Sequence, residues 1–331
     1  MLRLLGLVVV AGALAAAAAW HWVDRPLALA AARAELSIEP GTAPREVAQA
    51  WVDAGVQTSP RLLYEYFRWS GQARRIRAGS YEVEPGVTPR RLLDKMVRGD
   101  ETLEQLRFVE GWTLRQLRAE LARAPHLRAT TGAMSDTELM AALGEPGVSA
   151  EGRFFPDTYA YSRGVSDLVV LRRAHRAMRG HLADAWAQRA PDTPLKSADE
   201  ALILASIVEK ETGLASDRGR IAGVFVNRLR LGMPLQTDPT VIYGLGETFD
   251  GNLRKRDLQA DTPYNTYLRA GLPPTPIALP SLASLRAAVR PEPTKALYFV
   301  ARSDGSGGSV FSETLAEHNR AVNQFQRGGR R

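Results

Sequence analysis

Two glutamates, Glu209 and Glu211, close an apolar run, Ala201-Leu202-Ile203-Leu204-Ala205-Ser206-Ile207-Val208. Ser197, with Glu200 three residues on, forms a capping box that predicts a helix start. The helix is apolar nearly all round and is expected to be buried on most sides. Carboxylates at its C-terminal end face the partial negative charge of the helix, which disfavours their ionised form. Partial burial pushes the same way, towards a carboxyl that holds its proton near neutral pH. Such a group can protonate a leaving oxygen. Residues two apart on a helix point about 200° apart, so only one of the pair can face a given cleft. The plainer alternative is that both are surface residues at a fraying end, flanking Lys210.

Three later segments supply polar groups on stiff backbone. Leu235-Gln236-Thr237-Asp238-Pro239-Thr240-Val241-Ile242-Tyr243-Gly244 carries a turn-forming Asp-Pro and leads into a short helix. Thr262-Pro263-Tyr264-Asn265-Thr266-Tyr267 and Gly271-Leu272-Pro273-Pro274-Thr275-Pro276-Ile277 form two rigid loops. Their Gln, Thr, Asp, Asn and Tyr side chains match the hydroxyls and acetamido groups of a sugar chain, and proline holds them at low entropy cost. A fourth segment, Glu151-Gly152-Arg153-Phe154-Phe155-Pro156-Asp157-Thr158-Tyr159-Ala160-Tyr161, is dense in aromatics without a helical or strand period. It can form a core plug or a wall on which sugar rings stack.

Composition removes other chemistries. The 331 residues contain no cysteine, which excludes disulfides, thiolate metal sites and a thiol nucleophile. The five histidines make no H-E-x-x-H pair, so none marks a His-based metal site, and an all-oxygen site stays open. Lys plus Arg number 43 against 36 Asp plus Glu, a net charge of +7. The surplus is scattered arginine that fits an anionic surface or polymer, with no basic block of the kind that binds nucleic acid.

The elements that must carry these groups can be read along the chain. Glu39-Pro40-Gly41-Thr42-Ala43-Pro44-Arg45 recurs as Glu84-Pro85-Gly86-Val87-Thr88-Pro89-Arg90, each copy leading into an amphipathic helix. The first helix is expected to bury Val47, Ala48, Trp51 and Val52, and the second Leu92, Leu93, Met96 and Val97. A helix from about Arg61 to Trp69 and a strand Gly79–Val83 lie between them. Val109–Arg115 is a weaker third echo, with a helix through Leu117 and Leu121. Further helices are expected at Asp136–Met140, from Asp167 to Trp186, ending at Val289, and from Glu317 on. Leu297–Val300 and Val310–Ser312 read as a β-hairpin.

At the N-terminus an apolar run spans Leu4 to Trp20, with no charge between Arg3 and Asp24. A bilayer core takes roughly 20 such residues as a helix. Arg3 on the short side places the remaining chain outside the cytoplasm, with Trp20 and Trp22 at the outer interface. The rival is a cleaved signal peptide with sites in Ala15–Ala19, but no polar stretch precedes Trp20, which favours an uncleaved anchor.

With these motifs in place, the chain resembles the MltG/YceG-like endolytic murein transglycosylases. Five segments match in order: Glu151–Tyr159, Ala205–Thr212, Arg228-Leu229 with Leu235–Tyr243, Tyr264–Tyr267 and Gly271–Pro274. Thr275 departs from the pattern, standing where the family has glycine. The resemblance implies cleavage of the β-1,4 bond between N-acetylmuramic acid and N-acetylglucosamine in nascent peptidoglycan strands. It implies a 1,6-anhydro end made without water, and so an end to strand elongation. It makes Glu211 the catalytic acid/base, with Glu209 and Thr212 in support, and implies no metal or organic cofactor. Gln236, Thr237, Asp238, Tyr264, Asn265 and Tyr267 are the expected glycan-binding residues.

The expected fold is α+β in parts: residues 1–3 cytoplasmic, 4–23 a transmembrane anchor, 24–107 a small LysM-like module, 108–325 the catalytic domain and 326–331 a frayed basic tail. The body stands on the periplasmic or extracytoplasmic side of the cytoplasmic (inner) membrane as a single-pass protein. Its expected partners are peptidoglycan glycan strands and membrane-anchored peptidoglycan synthases. Two rivals are a water-using muramidase, which needs a second carboxylate from Asp238 or Asp157, and a non-catalytic wall-binding scaffold.

Overall fold

The computed structural model describes residues 10, 12 and 17–327. Residues 1–3, most of the expected anchor 4–23 and the tail from 328 on lie outside the described residues. Residues 17–23 are helical. Among the described residues no helix is long and apolar enough to cross a membrane. The chain is a mixed α+β protein that divides into two compact units.

The first unit comprises residues 1–105, 125–128 and 160–165. It contains β1 (Ala28–Leu29), β2 (Ala34–Ile38), α1 (Pro44–Asp53), β3 (Val56–Gln57), α2 (Pro60–Trp69), β4 (Gly79–Val83) and α3 (Pro89–Arg98). The repeated phrase yields α1 and α3, each started by proline in its first turn. Thr88 caps α3 by accepting from the Arg91 amide at 3.2 Å, and Gly99 closes it in the left-handed conformation. Each copy follows one strand of an antiparallel pair, β2 on β4, in the register Ala34↔Val83 to Ile38↔Gly79. Trp51 of α1 donates its indole N–H to the Met96 sulfur of α3 at 3.2 Å, at the centre of a core with Leu63, Phe67, Tyr81 and Leu92.

β5 (Leu103–Arg107) and β6 (Thr158–Ser162) lie where the chain passes between units. The second unit holds residues 106–124, 129–159 and 166–331. Its elements are α4 (Leu114–Arg123), α5 (Asp136–Ala142), α6 (Asp167–Ala187), α7 (Ala198–Glu211), α8 (Arg218–Arg230), α9 (Asp238–Leu245), α10 (Lys255–Leu258), α11 (Leu282–Val289), β7 (Tyr298–Ala301), β8 (Ser309–Ser312) and α12 (Leu315–Val322). β7 and β8 form the antiparallel hairpin, register Tyr298↔Ser312 to Ala301↔Ser309.

α7 is the central rod of this unit. Leu202, Leu204, Ala205, Ile207 and Val208 are fully buried among α6, α8 and α11. Ser197 caps α7 by accepting from the Glu200 amide at 3.2 Å, while the Glu200 carboxylate turns to the Lys196 amide at 2.7 Å. The aromatic segment is a plug: Phe154, Tyr159 and Tyr161 are buried, with Phe155 packed on the His181 ring at 4.2 Å.

Candidate active site

Because α7 is locked into the core along its length, its last residues are delivered to a fixed place. The two glutamates then separate in function, as their angular offset requires. The Glu209 carboxylate accepts from the backbone N–H (2.9 Å) and hydroxyl (2.5 Å) of Ser281, the N-cap of α11. One of its oxygens, Oε2, takes both bonds and ties α7 to α11. Thr212, the residue after the helix, returns its hydroxyl to the Val208 carbonyl at 2.6 Å and closes the last turn.

Glu211 points elsewhere. Its carboxylate accepts from the hydroxyl of Thr237, the N-cap of α9. Thr237 therefore turns its hydroxyl away from its own helix and onto the end of another. The position is rigid. Thr237 is buried, its N–H donates to the Thr266 hydroxyl at 3.1 Å, and its carbonyl accepts from Thr240 at 2.8 Å. Burial pushes the Glu211 carboxyl up, the Thr237 hydrogen bond opposes that, and the Asp238 charge adds to the rise. Asp238 in turn accepts from the Tyr267 hydroxyl at 2.6 Å. The Tyr267 phenol is pushed up by burial first, then by Asp238 and by Glu211. Glu211, Thr237, Asp238 and Tyr267 thus form one cluster.

The loop ahead of Thr237 is held from beneath by Arg228. This buried guanidinium donates to the carbonyls of Leu297 (2.7 Å), Pro234 (3.1 Å) and Leu235 (2.9 Å), and to the Gln236 side chain (3.4 Å). Gln236 is exposed and adopts φ +50°, a conformation costly for a residue with a Cβ. That turn lets the chain present Thr237 inward directly after an outward Gln236.

Asn265 stands apart from the other expected binding residues. It is fully buried, its amide donates to the carbonyls of Leu258 (3.0 Å) and Ala260 (2.7 Å), and its oxygen accepts from the Tyr267 N–H at 2.9 Å. It shapes the loop and places Tyr267, with no polar group left for a ligand. Tyr264 is partly buried, donating to or accepting from Thr275 at 2.8 Å and packing edge-on against Tyr243 with centroids 4.8 Å apart.

The structure adds a carboxylate that sequence reasoning passed over. Glu151 is 6% exposed. It accepts from the Leu114 N–H at the start of α4 (2.9 and 3.1 Å), from the Gly152 N–H (3.3 Å) and from the Tyr243 hydroxyl (3.1 Å). Burial pushes its carboxyl up to about 7, against the pull of those donors. Glu151 begins the aromatic Pro-Asp-Thr segment, yet apart from Gly152 its donors, Leu114 and Tyr243, lie 37 and 92 residues away and leave no local trace. Asp157, from the same segment, is exposed and bonds the next residue's N–H at 2.7 Å.

A cavity of about 800 Å³ is lined by Lys210 and Pro239, the sequence neighbours of Glu211 and Asp238, while the four residues of the cluster do not themselves line it. Glu151, Tyr243 and Tyr264 lie along it. Among the described residues no group of three or more acidic or imidazole side chains stands together to hold a metal ion.

The sequence profile of the YceG-like family matches residues 36–324. An endolytic murein transglycosylase of Bacillus subtilis (strain 168) is 31% identical over 319 residues, 88% of this chain and 84% of that protein. The endolytic murein transglycosylase of Streptococcus pneumoniae serotype 2 (strain D39) is 27% identical over 79% of this chain, which spans 53% of its length. A crystal structure of a yceG-like protein from Listeria monocytogenes superposes with a TM-score of 0.56 at 31% identity, covering 87% of this chain and 98% of that one.

Proposed function

The chain belongs to the YceG-like family, and on that premise we propose that it is an endolytic lytic transglycosylase of peptidoglycan with Glu211 as its acid and base. The carrying observation is the Glu211 carboxyl, partly buried at the end of α7, raised by burial and oriented by the Thr237 hydroxyl. Protonated Glu211 gives its proton to the oxygen between N-acetylmuramic acid and N-acetylglucosamine, and the bond from C1 to that oxygen breaks. The muramic acid O6 then closes on C1, and its proton passes to the Glu211 carboxylate, restoring the acid. One carboxyl serves both steps and no water is consumed, unlike the two-carboxylate arrangement of most glycoside hydrolases. As Glu211 becomes an anion, the Thr237 hydroxyl stabilises it.

Asp238, Tyr267 and Gln236 border the reacting bond, and Tyr264 lines the adjoining cavity. Cutting within a nascent strand ends its elongation. The body works outside the cytoplasm, held to the inner membrane by residues 4–23. Residues 24–107 act as a LysM-like module, and wall synthases anchored in the same membrane are partners. A pull-down that recovers no synthase counts against that last element.

A hydrolytic version of the same cut is favoured by one observation, the nearness of the Asp238 charge to Glu211. Digestion of purified peptidoglycan by wild type and Glu211→Gln, read by mass, separates the readings. Anhydro ends from wild type, with a loss of about 10²–10⁴ in the variant, support the transglycosylase. Ends heavier by one water point to hydrolysis. Equal activity in the variant removes Glu211 from the chemistry.

A further inference from the structure

We propose that the cavity lined by Lys210, the residue before Glu211, seats the peptide stem carried by the muramic acid, with Arg115 and Lys210 holding the stem's carboxylates. The inference rests on the murein-cleaving function and deepens it.

The cavity wall is formed by Ile242, Tyr243, Phe249 and Tyr264. The polar atoms of the two tyrosines are already used: Tyr243 donates to Glu151 at 3.1 Å and Tyr264 bonds Thr275 at 2.8 Å. This part of the wall offers carbon, which suits methyl groups better than a sugar's hydroxyls, while Thr113, Arg118, Asp136 and Glu151 supply polar groups elsewhere in the lining.

The rim carries cations with weak claims on them. Arg115 is exposed and pairs with Glu247 at 3.4 Å, whose own side chain is 85% exposed. Such a pair is readily exchanged for a better acceptor. The Lys210 ammonium donates to the Gly111 carbonyl at 3.3 Å and pairs with no carboxylate among the described residues. In a stem-bearing strand the muramic lactyl carboxyl is tied up in the amide, so the strand's free carboxylates are those of the stem, and only these can engage the rim cations. A stem bears alanine methyls and free carboxylates together, matching an apolar wall with a basic rim.

The test compares two substrates for the full-length chain: strands with uncrosslinked stems, and the same strands with the stem carboxylates amidated. The wild type is expected to favour the strand with free stem carboxylates in kcat/KM. Arg115→Ala and Lys210→Ala are each expected to lower that preference about threefold, as for an exposed charge pair, and together about tenfold. Equal cleavage of both strands by wild type, or a preference untouched in the double variant, overturns the proposal. Should wild type cut neither strand, the proposed function fails, and binding of a fluorescein-labelled stem pentapeptide decides the cavity separately. Tighter anisotropy binding of the free acid than of its fully amidated form, lost in the double variant, upholds it. Equal binding of both forms overturns it.

Discussion

Replacing Thr237 by valine tests the electrostatics of the cluster with little change of shape. The hydroxyl that is lost donates to the Glu211 carboxylate, and the backbone bonds of Thr237 to Thr266 and Thr240 remain. Three influences act on Glu211: burial raises its pKa, the Thr237 bond lowers it and Asp238 raises it. Removing the only lowering influence leaves the other two unopposed, so the carboxyl holds its proton to higher pH. A hydrogen bond to a charged group contributes about 1.5–3 kcal/mol, and the partial exposure of Glu211 points to the lower end. That is about one pH unit, since one unit corresponds to about 1.4 kcal/mol. The assay is kcat/KM against pH on peptidoglycan strands, with anhydro ends counted by mass. The alkaline limb, where the acid loses its proton, is expected to move up by about one unit. A thermal melt of the variant checks that the fold is kept. A limb that stays in place or moves down, in a folded variant, refutes the assignment of Glu211 as the proton donor tuned by Thr237.

Glu151 bears on stability as a function of pH. Its carboxyl stands at about 7 in the folded chain against an ordinary 4.5, so the folded state binds more protons between those values. Stability should fall by about 3 kcal/mol as pH rises through that window. Glu211 adds to the fall in the same direction, and Glu151→Gln, measured by denaturant midpoints at several pH values, should flatten the slope. An unchanged slope contradicts the burial argument. Gly152 has φ +77°, and an added Cβ would stand 2.5 Å from the Pro276 ring, so Gly152→Ala should cost about 3 kcal/mol or more in a melt. Asn265→Ala leaves the Leu258 carbonyl and the Tyr267 N–H without that partner, while the Ala260 carbonyl keeps the Thr262 N–H, an expected loss of about 2 kcal/mol or more. A stable Asn265→Ala protein that has lost substrate binding would restore Asn265 as a ligand contact.

Much of the scaffold was legible because its signals are local. Proline in the first turn, Thr88 as a cap and apolar spacing on the helix after Pro89 all act within a few residues, and α3 forms as they require. The fate of Glu209 and Glu211 was half legible. Helix geometry says that they diverge, but Ser281 and Thr237, which claim one each, are set by packing of distant segments. Asn265 reads as a ligand contact because an asparagine between tyrosines in a proline loop has the right chemistry. Its role follows from the neighbouring turn, where its amide serves the carbonyls of Leu258 and Ala260. Glu151 was hidden because the groups that hold it, the Leu114 N–H and the Tyr243 hydroxyl, come from distant parts of the chain.

The contacts that assemble the cluster are long in sequence: Glu211 to Thr237 spans 26 residues, Glu209 to Ser281 spans 72 and Glu151 to Tyr243 spans 92. Loops of that size close late, because the entropy of closure must be met before the contacts reward it. On a chain made from its N-terminus, Glu211 exists well before the Ser281 that anchors its helix. An interrupted product carries the acid without its setting. A chain cut off before Ser281 therefore has the acid on a helix that lacks this anchor, a consequence of the order of the residues alone.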